Sequence, residues 1–169
     1  MSTPVVSKLT KASVTNFLYI GDYYLFIIRN SDSSVMPSQV NGIGGKLNKG
    51  EDYVSAAIRE TQEETGYKVR QKDIRFCGII KFENSGGDDW YTCFFKIQVP
   101  TKRIPIGKRI NEGRLLWIHK NKVLKGKHAW ADDLNYVFDD VIDGKKLFFL
   151  TVGVMDNNFK IVESCKSKI

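Results

Sequence analysis

Glutamates at positions 60, 63 and 64 stand at i, i+3 and i+4. On a helix that spacing puts three carboxylates on one face. Like charges so close repel one another and weaken the helix that carries them, so the arrangement calls for a positive partner. A hard divalent cation with oxygen ligands is the natural candidate. Mg2+ keeps several waters and is held by one or two carboxylates together with substrate phosphate oxygens, and Mn2+ shares its taste for oxygen. Such an ion suits phosphoanhydride cleavage, because it orients the phosphates, neutralises charge on the leaving group and activates the attacking water. Gly42, Gly44 and Gly45 lie just upstream, where residues without Cβ let backbone approach a ligand closely. For the three glutamates alone, the plain alternative is a solvated acidic face with Lys and Arg neighbours.

The element that must carry these groups is a helix over Asp52 to Thr65. Tyr53, Val54, Ala56, Ala57 and Ile58 are its packing candidates, and Gly66 is placed as a C-terminal stop. Glu51 and Arg59 are expected to form a supporting pair that anchors the preceding loop to the helix.

From Gly45 to Tyr67 the chain reads GKLNKGEDYVSAAIRETQEETGY. As a pattern this is G-x5-E-x7-R-E-U-x-E-E-x-G-U, with all seven fixed identities present and Thr61 where Leu is usual. If a residue type recurs by accident at roughly one position in fifteen, seven coincide about once in 10^8 starting points. The segment therefore resembles the Nudix box, the signature of hydrolases that cleave nucleoside diphosphates linked to another group. The resemblance implies catalytic roles for Glu51, Arg59, Glu60, Glu63 and Glu64. It also implies metal binding by Glu60, Glu63, Glu64 and the carbonyl before the box glycine, here Gly44.

Composition bounds the rest. The chain of 169 residues, 42% hydrophobic and 12% aromatic, has material for a single domain with a real core, undivided by linkers or repeats. The longest apolar run, Tyr23 to Ile28, is too short to cross a bilayer, and no apolar N-terminal segment suggests export. Cys77, Cys93 and Cys165 form no C-x-x-C pair, which points to reduced thiols and a cytoplasmic protein. Between Lys102 and Lys127 nine basic residues face one acid, Glu112, and that window accounts for the whole formal charge of +7. It could draw in polyphosphates or contact nucleic acid, or be a plain soluble surface; no aromatic stacking platform interleaves with its lysines.

Strands are expected over Ser13 to Ile20, Tyr23 to Arg29, Gln39 to Ile43, Ile74 to Phe82, Asp89 to Val99, Gly113 to Ile118, Lys146 to Val154 and Phe159 to Val162. A polar loop runs from Asn30 to Ser34, and turns fall at Glu83 to Asp88 and Asp156 to Asn158. A second helix covers Asp132 to Ile142, and the tail from Glu163 reads as loose. Strand pairs around a central helix with a late second helix make an α/β (α+β) sandwich. The resemblance implies the matching Nudix fold, a mixed β-sheet packed between helices.

A Nudix box specifies the bond and not the compound. Outside it the chain resembles MutT-type 8-oxo-dGTP diphosphatases at Asn41-Gly42-Ile43-Gly44-Gly45-Lys46, Asp89-Trp90-Tyr91-Thr92, Asn111-Glu112-Gly113 and Trp130-Ala131-Asp132-Asp133. That resemblance implies Asn41 reading a purine edge, Gly45 and Lys46 at the substrate, and Glu112 as a further metal or water ligand. It implies Trp130 flanking a base that Asp132 and Asp133 bind, one acid being kept protonated by an apolar pocket. The competing reading makes Asp132 a helix cap and Trp130 a core residue. The expected substrate is a small nucleotide, an oxidised purine nucleoside triphosphate. The alternatives are another nucleoside diphosphate derivative (a nucleotide sugar, a dinucleoside polyphosphate or a capped RNA end) and a nucleotide sensor without turnover.

Overall fold

The computed structural model describes residues 9–33, 37–85, 87–155 and 158–168, with side chains as far as residue 154. β1 (Thr10–Ile20) turns at Gly21-Asp22 into β2 (Tyr23–Arg29), and β3 (Val40–Asn41) leads into α1 (Tyr53–Thr65). β4 (Ile74–Asn84), β5 (Asp89–Gln98), β6 (Arg109–Ile110) and β7 (Gly113–His119) follow. The chain then forms α2 (Leu134–Asp143), β8 (Lys146–Met155) and β9 (Asn158–Lys168). Among the described residues these strands join in one mixed sheet of order β6-β7-β2-β1-β5-β4-β8-β9, with β3 beside β2. The β1–β5 and β4–β8 pairs are parallel.

Alternation divides the core between the two faces of the sheet. On β1, Val14 and Leu18 join the cluster that includes Ala56 and Ala57 of α1, whereas Phe17 joins Val137, Phe138 and Val141 of α2. On β5, Cys93, Phe95 and Ile97 take the first side and Phe94 the second. Rings of Phe17, Tyr24 and Phe26 pack on Phe138 at centroid separations of 5.2 to 5.7 Å. One helix is therefore seated on each face, as the sandwich reading expects.

Differences lie mainly at element ends. β9 continues through Lys168, with Glu163 opposite Thr151 and Lys168 opposite Lys146, where the sequence reads as a loose tail. The extension comes from a long-range ladder to β8, which a polar segment does not announce. The short strand expected over Gln39 to Ile43 reduces to β3 and an isolated bridge, Asn16 to Ile43. Ser34 of the expected polar loop, Gly86 of the expected turn and residues 156–157 lie outside the described residues. No helix among the described residues is long and apolar enough to cross a membrane.

Candidate active site

Helix α1 starts at Asp52, whose Oδ1 accepts from Val54 N and Ser55 N at 2.9 Å. It stops at Gly66, in the left-handed region at φ 76°, where a Cβ would also strike Ile106. Its buried face presents Ala56, Ala57, Thr61 and Thr65 to the sheet. Asn16, fully buried on β1, donates to Ala57 O at 3.0 Å and Thr61 Oγ1 at 3.2 Å. The threonine at position 61 is thus a hydrogen-bond partner as well as a packing residue, a use its methyl alone does not suggest.

The glycine loop is stitched to β1 by Val14 N to Gly45 O at 2.9 Å and reciprocal Asn16–Ile43 bonds. A Cβ on Gly44 (φ 153°) would lie 2.1 Å from Val14 O, and one on Gly45 would lie 2.6 Å from Glu60 Oε1. The glycines therefore let the loop lie against both the sheet and the helix carboxylates. Gly44 N donates to Glu64 Oε2 at 3.0 Å.

Arg59 gathers the charges. Its Nε and NH2 groups grip Glu51 at 2.8 and 2.9 Å, NH2 also reaches Lys46 O at 3.0 Å, and NH1 donates to Glu60 at 2.7 Å and Glu63 at 3.1 Å. Arg59 and the Asn48 N–H hold the Glu51 carboxyl below its usual range. The expected Glu51–Arg59 support between loop and helix is present in this geometry.

Glu60 and Glu64 are buried, and burial raises both carboxyls, Glu60 against the pull of Arg59. Glu64 is raised further by the neighbouring Glu112 carboxylate. Its Oε1 is buried without a hydrogen-bond donor. Glu112 reaches this point from the loop before β7, fastened by Asn30 N to Glu112 O at 3.0 Å and Arg29 NH1 to Glu112 Oε2 at 3.1 Å. Glu63 departs from the group: its side chain is 59% exposed and turns to Arg59. Among the described residues no three Asp, Glu, His or Cys side chains form a ready-made metal cage. Two abutting carboxylates with an orphaned buried oxygen nonetheless fit a hard cation that takes its remaining ligands from water and phosphate.

The family model for the NUDIX domain matches residues 10–137. The chain belongs to the Nudix family. Solved structures with the Nudix fold include a mutator MutT protein from Bacillus halodurans, at TM-score 0.74 and 21% identity over 92% of this chain and 97% of that one. A MutT protein from Methanosarcina mazei Go1 is similar at TM-score 0.66 and 20% identity, over 83% and 99% of the two chains. A NUDIX hydrolase from Nitrosomonas europaea follows at TM-score 0.65 and 22% identity, over 82% and 93%. Membership of the Nudix family implies hydrolysis of phosphoric anhydride bonds, on small nucleotide substrates and generally with a divalent metal.

The other residues singled out in this Nudix domain are positioned as follows. The Lys46 ammonium lies 5.5 Å from the Trp90 ring centroid, beside the loop. Asn41 is buried on β3, its Oδ1 accepting from Gly42 N at 2.7 Å. Val40 N to Ala129 O and Ala131 N to Val40 O bring Trp130 alongside the residue before Asn41. Trp130 packs edge-on against Phe26 at 5.4 Å, yet its Nε1 is buried without a partner. Asp132 is exposed, and Asp133 is the buried acid, 3% exposed, with Oδ1 unpartnered and its carboxyl pushed up to about 6 by burial. Helix α2 has Asp133 at its N-cap without a side-chain capping bond, so the reading of Asp132 as the cap does not hold. Arg29, which orders Glu112 and keeps an orphaned buried Nε, went unnoticed in the sequence. A lone arginine at a strand end carries no local signal.

Proposed function

We propose that the protein is a Mg2+-dependent nucleotide pyrophosphohydrolase, acting as a single domain over residues 1–169. It takes a purine nucleoside triphosphate, an oxidised one such as 8-oxo-dGTP, to the monophosphate and pyrophosphate. The observation that carries this reading is the Glu64–Glu112 contact beside the Gly44–Gly45 loop, with Glu64 Oε1 left without a donor.

Glu60, Glu64 and Glu112, with the Gly44 carbonyl, are the groups that would hold the ion, and Glu63 would join them only on releasing Arg59. When bound, Mg2+ supplies charge neutralisation along the phosphates and a more acidic water. The chain's own residues do the rest. Arg59 and Glu51 fix the loop to the helix, and Lys46 offers its ammonium to the phosphate chain. The buried atoms Trp130 Nε1 and Asp133 Oδ1 support a base pocket, because each lacks a partner that a nucleobase edge could provide. Asp133, whose carboxyl burial lifts to about 6, can donate as well as accept while it holds its proton. Two buried free thiols, Cys77 and Cys93, suit a reducing, cytoplasmic setting.

Pyrophosphate release from 8-oxo-dGTP and dGTP, measured side by side with Mg2+, tests the reading. Turnover with a higher kcat/KM for the oxidised nucleotide is expected. Equal values would remove the oxidised-base preference, and no turnover of either would remove the function.

A further inference from the structure

The far end of β7 carries a concavity that the proposed reaction does not use. It has a volume of about 500 Å3, and Tyr23, Trp117, His119, Lys122, Lys125 and Lys127 line it. That volume is in the range of ligand sites. The three lysines are exposed, and none of the ion pairs among the described residues involves them. Tyr23 is 37% exposed, with the His119 ring edge-on at 5.1 Å and the Lys102 ammonium 2.9 Å from its centroid. Trp117 Nε1 is committed to Lys102 O at 2.9 Å, which holds that lysine's backbone beside the cavity. The basic window therefore does meet aromatic rings, contrary to the sequence reading: Trp117 lies within it, and the β2–β7 ladder brings Tyr23 beside it.

The charge also continues around the cavity. Exposed Lys102, whose ammonium sits at Tyr23, and its neighbour Arg103 add positive groups beside it. With Lys122, Lys125 and Lys127 they outrun the phosphates of a single nucleotide and match a polyanionic chain. The rings sit within a cavity, so only an unstacked base reaches them.

We propose that this cavity binds single-stranded nucleic acid, with a base displacing the Lys102 ammonium to stack at Tyr23 and phosphates on Lys122, Lys125 and Lys127. The site is separate from the glutamate helix and does not depend on the reading of the reaction.

Fluorescence anisotropy with a labelled oligouridylate, across a salt series, tests it. Replacing Lys122, Lys125 and Lys127 together by Ala is expected to weaken binding and to reduce the slope of log K against log salt by about 2, at about 0.7 per phosphate contact. Tyr23→Ala should cost roughly 5- to 100-fold in affinity at constant salt, and Tyr23→Phe should restore it. Thermal melts establish that each variant is folded, and Glu64→Gln should bind the strand as the parent does. The proposal is overturned if the triple variant keeps the parent's affinity and slope, or if a duplex binds as tightly as the single strand. Displacement by uridine monophosphate at equal nucleotide concentration, or loss of binding in Glu64→Gln, would overturn it too.

Discussion

Asp133 has the clearest titration consequence of any single side chain. Its carboxyl lies at about 6 in the fold against an ordinary value of 3.8, so the native state holds a proton that the unfolded chain releases. Stability from this group is whole below about pH 4, falls as pH rises to about 6, and is flat above; the loss is roughly 3 kcal/mol. Asp133→Asn should therefore be more stable than the parent at pH 7 and lose that advantage at pH 4, as read by denaturant midpoints. Gly45 makes a second prediction at this scale. A methyl there meets Glu60 Oε1 at 2.6 Å, whereas one on Gly44 meets backbone at 2.1 Å. Gly45→Ala should lower kcat/KM about 100-fold by shifting one carboxylate. Its melting temperature should stay above that of Gly44→Ala.

At the scale of the element, α1 is held to the sheet by hydrogen bonds as well as by small apolar residues. Asn16 supplies both donors, from a site with no exposure. Asn16→Ala leaves Ala57 O and Thr61 Oγ1 short of them and should cost about 1 to 3 kcal/mol. For a chain of this size, each kcal/mol lowers the melting temperature by about 2 to 4 °C, which calorimetry would register. This helix is the most legible element in the sequence, since Asp52, the small residues and Gly66 act within a few positions of one another. β3 and β9 are legible only in part, because their bounds follow from partners distant in the chain: Ile27 and Ile28 for the first, Lys146 to Met155 for the second.

For the whole molecule, the sheet is what assembles the site. The β2–β7 ladder sets Arg29 opposite Gly113, and so delivers Glu112 to a helix that lies far from it in sequence. If these carboxylates hold a divalent ion, Mg2+ or Mn2+ should stabilise the fold by about 2.7 kcal/mol at one hundred times its Kd. Differential scanning fluorimetry with and without the ion should show the rise in the parent. Glu64→Gln should lose it while retaining the parent's melting temperature without metal. An equal rise in both would mean that the ion binds elsewhere.

Spacing along the chain was enough to read the chemistry class. The spacing of Glu60, Glu63 and Glu64, the flanking Gly45 and Gly66, and the Glu51–Arg59 pair are local relations, which a helix converts directly into shared faces. Which carboxylates meet across elements follows from packing. Arg59 draws Glu63 aside through a local i,i+4 pair, but it is the β2–β7 ladder that presses Glu112 against Glu64, a neighbour that the fold, and not chain order, supplies. For the same reason Tyr23 joins Trp117 at the basic window only because β2 and β7 lie side by side.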